Sequence, residues 1–214
     1  DPQGNATMGS GVDKRQLELS VYDVLLESAS VKEAAVLSDK CGYWVLGANR
    51  ELAGAEVELV ALEQREKRLK AALAEADADY DFVLIDCPPS VGQLTQTALA
   101  SSTEILIPIQ CEYFAMEGLA QMIEVIRRVI HERAHHLEFG GIVLTMYDHS
   151  LELTQEVDQE VREFFGEIVY QTVIPRDVAV SESPSHGKSV LDYAPRARGS
   201  RAYVELCMEV LDRD

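Results

Sequence analysis

The sequence lacks any apolar run near the ~18 residues that a membrane-spanning helix needs; its densest short run is Ile105-Leu106-Ile107-Pro108-Ile109. A helical membrane span is excluded. Basic residues are scarce, 19 Lys and Arg against 37 Asp and Glu, giving a formal net charge of −18 and a pI near 4.6. Nonspecific nucleic-acid binding depends on Lys and Arg neutralising phosphates, so this balance argues against it as a general property. No positively charged start followed by an apolar signal segment is present, which gives secretion no support. The four cysteines, Cys41, Cys87, Cys111 and Cys207, form no Cys-x-x-Cys pair. Dispersed in this way they fit a reducing cytoplasm and read as small core hydrophobes. The alternative is a ligand to an iron–sulfur cluster shared between subunits.

What is there is globular. Hydrophobic residues make up 47% and charged ones 26% of 214 residues, enough for one α/β domain. Short apolar strand-like runs alternate with longer helical patterns. The clearest strand is Tyr80 to Asp86, with Phe82-Val83-Leu84-Ile85 continuous as in a central parallel strand. Glu104 to Ile109, Gly141 to Met146 and Ile168 to Ile174 are further strands, and Tyr43 to Leu46 a weaker one. Helices are expected over Leu17–Leu26, Glu56–Ala78, Met116–His135, Leu153–Phe165 and Ala202–Leu211. This alternation predicts a doubly wound, mainly parallel sheet with helices on both faces.

A phosphate-binding loop is missing. Gly187-Lys188-Ser189 supplies the end of a Walker pattern, but its first glycine position holds Glu182. Gly9-Ser10-Gly11 starts a dinucleotide fingerprint whose third glycine position holds Lys14. A dinucleotide oxidoreductase is therefore remote. His131 and His135 are spaced to chelate zinc on one helix face, yet no HExxH pattern supports that, and a solvated helix end is the plainer reading.

Three segments are far more specific: DPQGNAT (Asp1–Thr7), LIDCPPS (Leu84–Ser90) and VIPRDVAVSESPSHGKSV (Val173–Val190). Between them lie LAGAEVELV at Leu52–Val60, IPIQCEYFAMEGL at Ile107–Leu119 and LTMYD at Leu144–Asp148. In this order they closely resemble the ParA/Soj-type chromosome- or plasmid-partitioning ATPases, which are deviant-Walker P-loop proteins. The resemblance runs over essentially the whole chain. It implies a single nucleotide-binding domain over 1–214 of P-loop NTPase type. That domain would lack the family's first strand, phosphate loop, first helix and second strand.

Hydrolysis needs a group that orients or deprotonates water in line with the γ-phosphate, and an Asp in a polar turn suits that task. Asp1 alone also reads as a turn former before Pro2. The resemblance implies for it the water-activating switch role. Asp86 closes the expected buried strand, where an unpaired carboxylate would cost several kcal/mol. A metal ion or its water is a natural partner, and capping the next turn is the alternative. The resemblance implies that Asp86 acts on Mg²⁺ through water and that Pro88 belongs to a second switch. Base recognition sits past the ends of later strands in this fold, which makes Pro175, Arg176 and Asp177, with Thr145 to Asp148 nearby, the nucleotide-binding candidates. The resemblance implies that the Ile174-Pro175-Arg176 turn lies against the adenine of ATP.

Members of this family form an ATP-dependent homodimer, bind DNA nonspecifically and respond to a ParB-type protein. The DNA-facing candidates here are Arg176, Lys188, Arg196, Arg198 and Arg201. Ser150 and Ala179 stand where relatives often carry arginine, which weakens the DNA expectation. A related septum-positioning branch, MinD, holds membranes with a basic C-terminal helix, whereas the polar face at Val204–Asp214 is acidic. The implied place of action is the cytoplasm, at the nucleoid. A nucleotide-independent interaction module is the second reading, because the phosphate loop is missing.

Overall fold

The computed structural model describes residues 1–62, 64–90, 92–113, 118–119, 122–124, 126–127, 130 and 137–213. The chain forms two compact units, one of Asp1–Thr103 with Pro184–Ser189 and one of Glu104–Ser183 with Val190–Asp214.

The first unit carries α1 (Asn5–Gly9), α2 (Val21–Leu25), α3 (Val31–Ala34), β1 (Ala35–Leu37) and β2 (Trp44–Leu46). These are followed by α4 (Leu52–Val60), α5 (Arg68–Ala74) and α6 (Gln93–Ser101). Ser20 and Ser30 start α2 and α3 through capping boxes closed by Asp23 and Glu33. The helix expected from Leu17 is thus shorter, because the Ser20 cap fixes its start and Glu27, at φ 61°, follows its end. The expected long helix over 56–78 is also broken, with Gln64 at φ 52° between α4 and α5. Leu59 and Leu69 on one straight helix would point about 80° apart. The break lets both enter one core with Leu25, Leu52, Ala55 and Leu94.

The strand expected at Tyr80–Asp86 does not form. A continuous apolar strand is buried only when flanked by strands and covered by helices. None of the described residues pairs with 82–88, so Phe82 is 60% and Leu84 94% exposed. Of residues 80–86, Ile85 reaches one core and Tyr80 another. Asp86 is exposed, which removes the burial argument made for its carboxylate. The weak strand at Tyr43–Leu46 is present as β2, but it is antiparallel, pairing Leu37 with Trp44 and Ala35 with Leu46.

The second unit is a three-stranded parallel sheet in the order β3 (Glu104–Gln110), β4 (Glu138–Tyr147), β5 (Val169–Pro175). Helix α7 (Glu152–Phe165) links β4 to β5, and α8 (Val178–Glu182), α9 (Val190–Tyr193) and α10 (Arg198–Arg213) follow. Of the helix expected over 116–135, the described residues 118, 119, 122–124, 126, 127 and 130 are helical. His131 and His135 lie outside the described residues. Alternation along β4 sends Ile142 and Leu144 to one face and Val143 to the other. The first face packs on Leu119, Ile123, Ile126, Val157 and Val161, the second on Ala202 and Leu206. A parallel sheet covered by helices on both faces bears out the α/β class.

All four cysteines are free, but only Cys111 is a core residue. Cys41 is half-buried and Cys87 and Cys207 are exposed, so the core reading holds for one of them.

Candidate functional site

In the first unit, Asp1 and Asp86 come together through the backbone. The Asp1 backbone nitrogen donates to the Asp86 carbonyl at 2.9 Å. Asp1 Oδ1 accepts the Gln3 N–H at 3.0 Å, and the Gly4 N–H closes the turn on the Asp1 carbonyl at 3.0 Å. Gly4 sits at φ 61°, and a Cβ there would lie 2.3 Å from the Ala48 carbonyl oxygen, so the turn requires glycine. Lys14 Nζ donates to the Gln3 carbonyl from outside. Buried Thr7 locks the following helix in place: its Oγ1 accepts the Ala48 N–H at 2.9 Å. Asp86 then leads into Cys87-Pro88-Pro89-Ser90, whose Ser90 carbonyl accepts the Thr95 hydroxyl at 2.6 Å. Lys188 belongs to this unit and is exposed. Its neighbour Gly187 (φ 60°) lies against Gly11, where a Cβ would stand 2.7 Å from the Gly11 Cα.

In the second unit, Thr145, Pro175, Arg176 and Asp177 gather at the carboxyl edge of the sheet, where parallel α/β sheets place their ligands. Thr145 Oγ1 donates to the Ile109 carbonyl at 3.0 Å, and the Thr145 carbonyl accepts the Cys111 N–H at 3.1 Å. Tyr147 pairs with Pro175, and the Arg176 N–H donates to the Tyr147 carbonyl at 2.9 Å. Between them Met146 holds φ 54° at a register shift, a costly conformation for a non-glycine residue. Asp177 spans two elements: Oδ1 accepts the Ala179 N–H at 2.9 Å and Oδ2 the Gly199 N–H at 2.8 Å. The Gly199 and Ala179 amides, with the Arg198 charge nearby, hold the Asp177 carboxyl below its ordinary range. Arg176 approaches Glu112 at 3.9 Å, and Arg198 donates to the Arg176 carbonyl at 3.4 Å. Arg176, Arg196, Arg198 and Arg201 are all exposed in this unit.

Sequence reasoning missed the supports of this edge. The Tyr147 hydroxyl donates to Asp158 Oδ2 at 2.9 Å, and Arg162 Nε donates to Asp158 Oδ1 at 2.6 Å. Burial, then Asp158, pushes the Tyr147 hydroxyl up to about 12, and burial pushes the Cys111 thiol up to about 11. Asp158 and Arg162 stand four apart on α7, an ion-pair spacing legible in the sequence. Asp148 closes the Thr145–Asp148 segment. Ser150 donates to its Oδ1 through Oγ at 2.7 Å and N–H at 3.0 Å, holding its carboxyl low, with Arg176 and Arg198 adding to the effect.

Among the described residues no three His, Cys, Asp or Glu side chains group as a metal cage. Mg²⁺ does not need one. It keeps several waters and takes one or two carboxylates together with substrate phosphates, so exposed Asp86 beside Asp1 suits it as a donor.

A family model described as an AAA domain matches residues 1–139. The sporulation initiation inhibitor protein Soj of Bacillus subtilis is 46% identical over 210 residues, covering 98% of this chain and 83% of that protein. The chromosome partitioning protein ParA of Caulobacter vibrioides is 44% identical over 216 residues, covering 100% of this chain and 81% of the relative. Among solved structures, cobyrinic acid a,c-diamide synthase of Mycobacterium smegmatis, with an ATP analogue and magnesium bound, superposes with a TM-score of 0.77 at 38% identity. That match covers 82% of this chain and 72% of the other. With relatives this similar over nearly its full length, the chain belongs to the Soj/ParA family of chromosome-partitioning ATPases.

Proposed function

We propose that the protein is an ATP-driven switch for chromosome or plasmid partitioning, which dimerises with ATP and is reset by hydrolysis to ADP and phosphate. Both units are taken as parts of one nucleotide-binding domain. The observation that carries the proposal is the Asp1 turn, tied through the Asp1 nitrogen to the carbonyl of Asp86. Two carboxylate-bearing segments thereby share one corner of the first unit.

Asp1 Oδ1 is engaged by the Gln3 N–H, so Oδ2 is the oxygen that would orient the attacking water and accept its proton. Asp86 would hold Mg²⁺ through water. When bound, that ion offsets the charge of the phosphate oxygens. Pro88, in the turn after Asp86, would sense the γ-phosphate. Thr145 and Pro175-Arg176-Asp177 would receive the adenine. The relatives' names and the ATP analogue with magnesium in a structural neighbour support this reading. A basic segment of a ParB-type partner would meet the acidic surface of a chain carrying a net −18.

A nucleotide-independent interaction module is the second reading. It is favoured by the absence of a Gly-x₄-Gly-Lys-Ser/Thr loop from residues 1–214. Titration of labelled ATP separates the two. The switch predicts micromolar, Mg²⁺-dependent binding by the intact gene product and far weaker binding by residues 1–214 alone. If the intact product also failed to bind, the interaction module would stand.

A further inference from the structure

Strand β4 carries an extra residue at its carboxyl end. It pairs with β3 without a break from Gly141 to Thr145. Between Leu144 and Tyr147, however, it takes three steps where β5 takes two, from Val173 to Pro175. The extra residue is taken up as a bulge with Met146 at φ 54°, and a bulge re-aims the side chain that follows it. Regular alternation would send Tyr147 to the face of Val143, away from Ile142 and Leu144. Tyr147 instead joins the Ile142 and Leu144 cluster, on the face that packs against Val157 and Val161 of α7. There its hydroxyl donates to Asp158 Oδ2 at 2.9 Å, and Arg162 Nε donates to the other carboxylate oxygen at 2.6 Å.

The bulge and the bond depend on each other. Left-handed backbone is unfavourable for Met, so the bulge persists only where its surroundings hold it. The Tyr147–Asp158 bond is such a hold, because a phenol returned to the face of Val143 would leave Asp158 without that donor. The Tyr147 hydroxyl is pushed up to about 12, by burial first and then by Asp158, so it remains a donor at neutral pH. What the bulge positions is the carboxyl edge of the sheet. The Tyr147 carbonyl accepts the Arg176 N–H at 2.9 Å, and the Thr145 carbonyl accepts the Cys111 N–H at 3.1 Å. Thr145 and Arg176 are among the residues to which the proposed function gives the adenine.

We infer that Tyr147 and Asp158 are positioning residues for the nucleotide base: their bond locks the β4 bulge, and the locked bulge presets Thr145 and the Pro175-Arg176-Asp177 turn before ATP arrives. A site preset in this way binds more tightly, because the nucleotide does not have to select a minor conformer. The inference rests on the reading of this edge as the adenine site, and it adds the residues that hold the edge in shape.

Titration of the intact gene product with ATP, and with inorganic triphosphate to read the phosphate side alone, tests this. Tyr147→Phe removes the hydroxyl and keeps the ring in its core. It should weaken ATP about tenfold, leave triphosphate binding unchanged and accelerate hydrogen exchange at the Arg176 amide. Adding Asp158→Asn to Tyr147→Phe should weaken ATP no further, since the two residues act through one bond. Adding Met146→Gly instead should recover most of the ATP affinity, because glycine takes positive φ at no steric cost. Val157→Ala, in the same core but outside the bond, should lower the denaturant midpoint and leave ATP affinity as it was. ATP affinity unchanged in Tyr147→Phe would overturn the inference. So would a loss that Val157→Ala reproduces, or one that Met146→Gly does not recover. An unsubstituted protein that holds ATP no more tightly than triphosphate would overturn the adenine reading, and the inference with it.

Discussion

Asp177 shows how one side chain can position a whole edge. Its two oxygens fasten the start of α8 and the start of α10 to the end of β5. Each contact is a hydrogen bond from a backbone N–H to a carboxylate, so Asp177→Ala should cost about 1–3 kcal/mol, read as a lower denaturant midpoint at unchanged slope. The Asp177 carboxyl titrates below its unfolded value because the Gly199 and Ala179 amides favour its charged form. Its stabilisation is therefore fully present above the unfolded value of about 3.9 and is lost as pH falls through the lower folded value. The acid-unfolding curve of Asp177→Ala should converge with that of the unsubstituted chain at the acid end. A constant gap down to the lowest pH would mean that packing, not the carboxylate, is lost. Asp1 is expected to behave differently, since it fastens little beyond its own turn. In the intact gene product, Asp1→Ala should abolish hydrolysis while ATP binding persists, because Oδ2 would act on the water and not on the nucleotide. Loss of both together would assign Asp1 to a structural turn.

At the scale of elements, Glu209 on α10 completes β5. Between the Ile142–Val169 and Leu144–Val173 pairs the register shifts, and the Gln171 and Thr172 N–H groups donate to the Glu209 carboxylate at 2.7 and 2.9 Å. Burial works against this charge, but the two amides and Arg213 outweigh it and hold the carboxyl below its ordinary value. Glu209→Ala would leave two strand amides without a partner, at a cost of about 2–3 kcal/mol, and hydrogen exchange at Gln171 and Thr172 should accelerate. Protection unchanged at both amides would show that water or a neighbouring strand replaces the carboxylate. Elements with a strong local pattern were legible in the sequence. Helices α7 and α10 place apolar residues at the helical period, and strands β3 and β4 are short, nearly continuous apolar runs bounded by polar residues. The run Phe82–Ile85 misled, because a continuous apolar strand states only that neighbours must cover it. Among the described residues no strand flanks it, and Ile85 alone of the four packs on a core. The α4–α5 break was invisible, because Ala, Leu, Glu, Lys and Arg favour helix on both sides of Gln64 and only the core decides where the chain must turn. At the site, Thr145 and Pro175 to Asp177 were placed on motif alone. The Asp158–Tyr147 bond beneath them joins β4 to α7, and a contact of that kind appears only once the fold exists.

At the scale of the whole molecule, an acidic chain must concentrate its few cations to engage DNA. The second unit displays Arg176, Arg196, Arg198 and Arg201, all exposed, although Arg176 is drawn toward Glu112 at 3.9 Å. Ser150 and Ala179, where relatives often carry arginine, stand close in sequence to this edge. Ser150 is spent on the Asp148 turn, and Ala179 opens α8 beside the Asp177 cap. The ATP-bound intact protein should therefore bind duplex DNA weakly, with a shallow dependence on salt. Each phosphate contact contributes about 0.9 to the slope of log affinity against log salt. Ser150→Arg with Ala179→Arg should steepen that slope by roughly 2 per protomer, or about 4 per dimer if both protomers engage. If the existing arginines already form the whole contact face, the two substitutions leave the slope unchanged while Arg198→Ala flattens it. Arg198 is the sharper probe of the two arms, because its charge also holds down Asp148 and Asp177. Its removal should raise both carboxyl titrations by NMR whether or not DNA binds there. A slope indifferent to all three substitutions, with those titrations moving as expected, would place the cargo on a protein surface instead of on DNA.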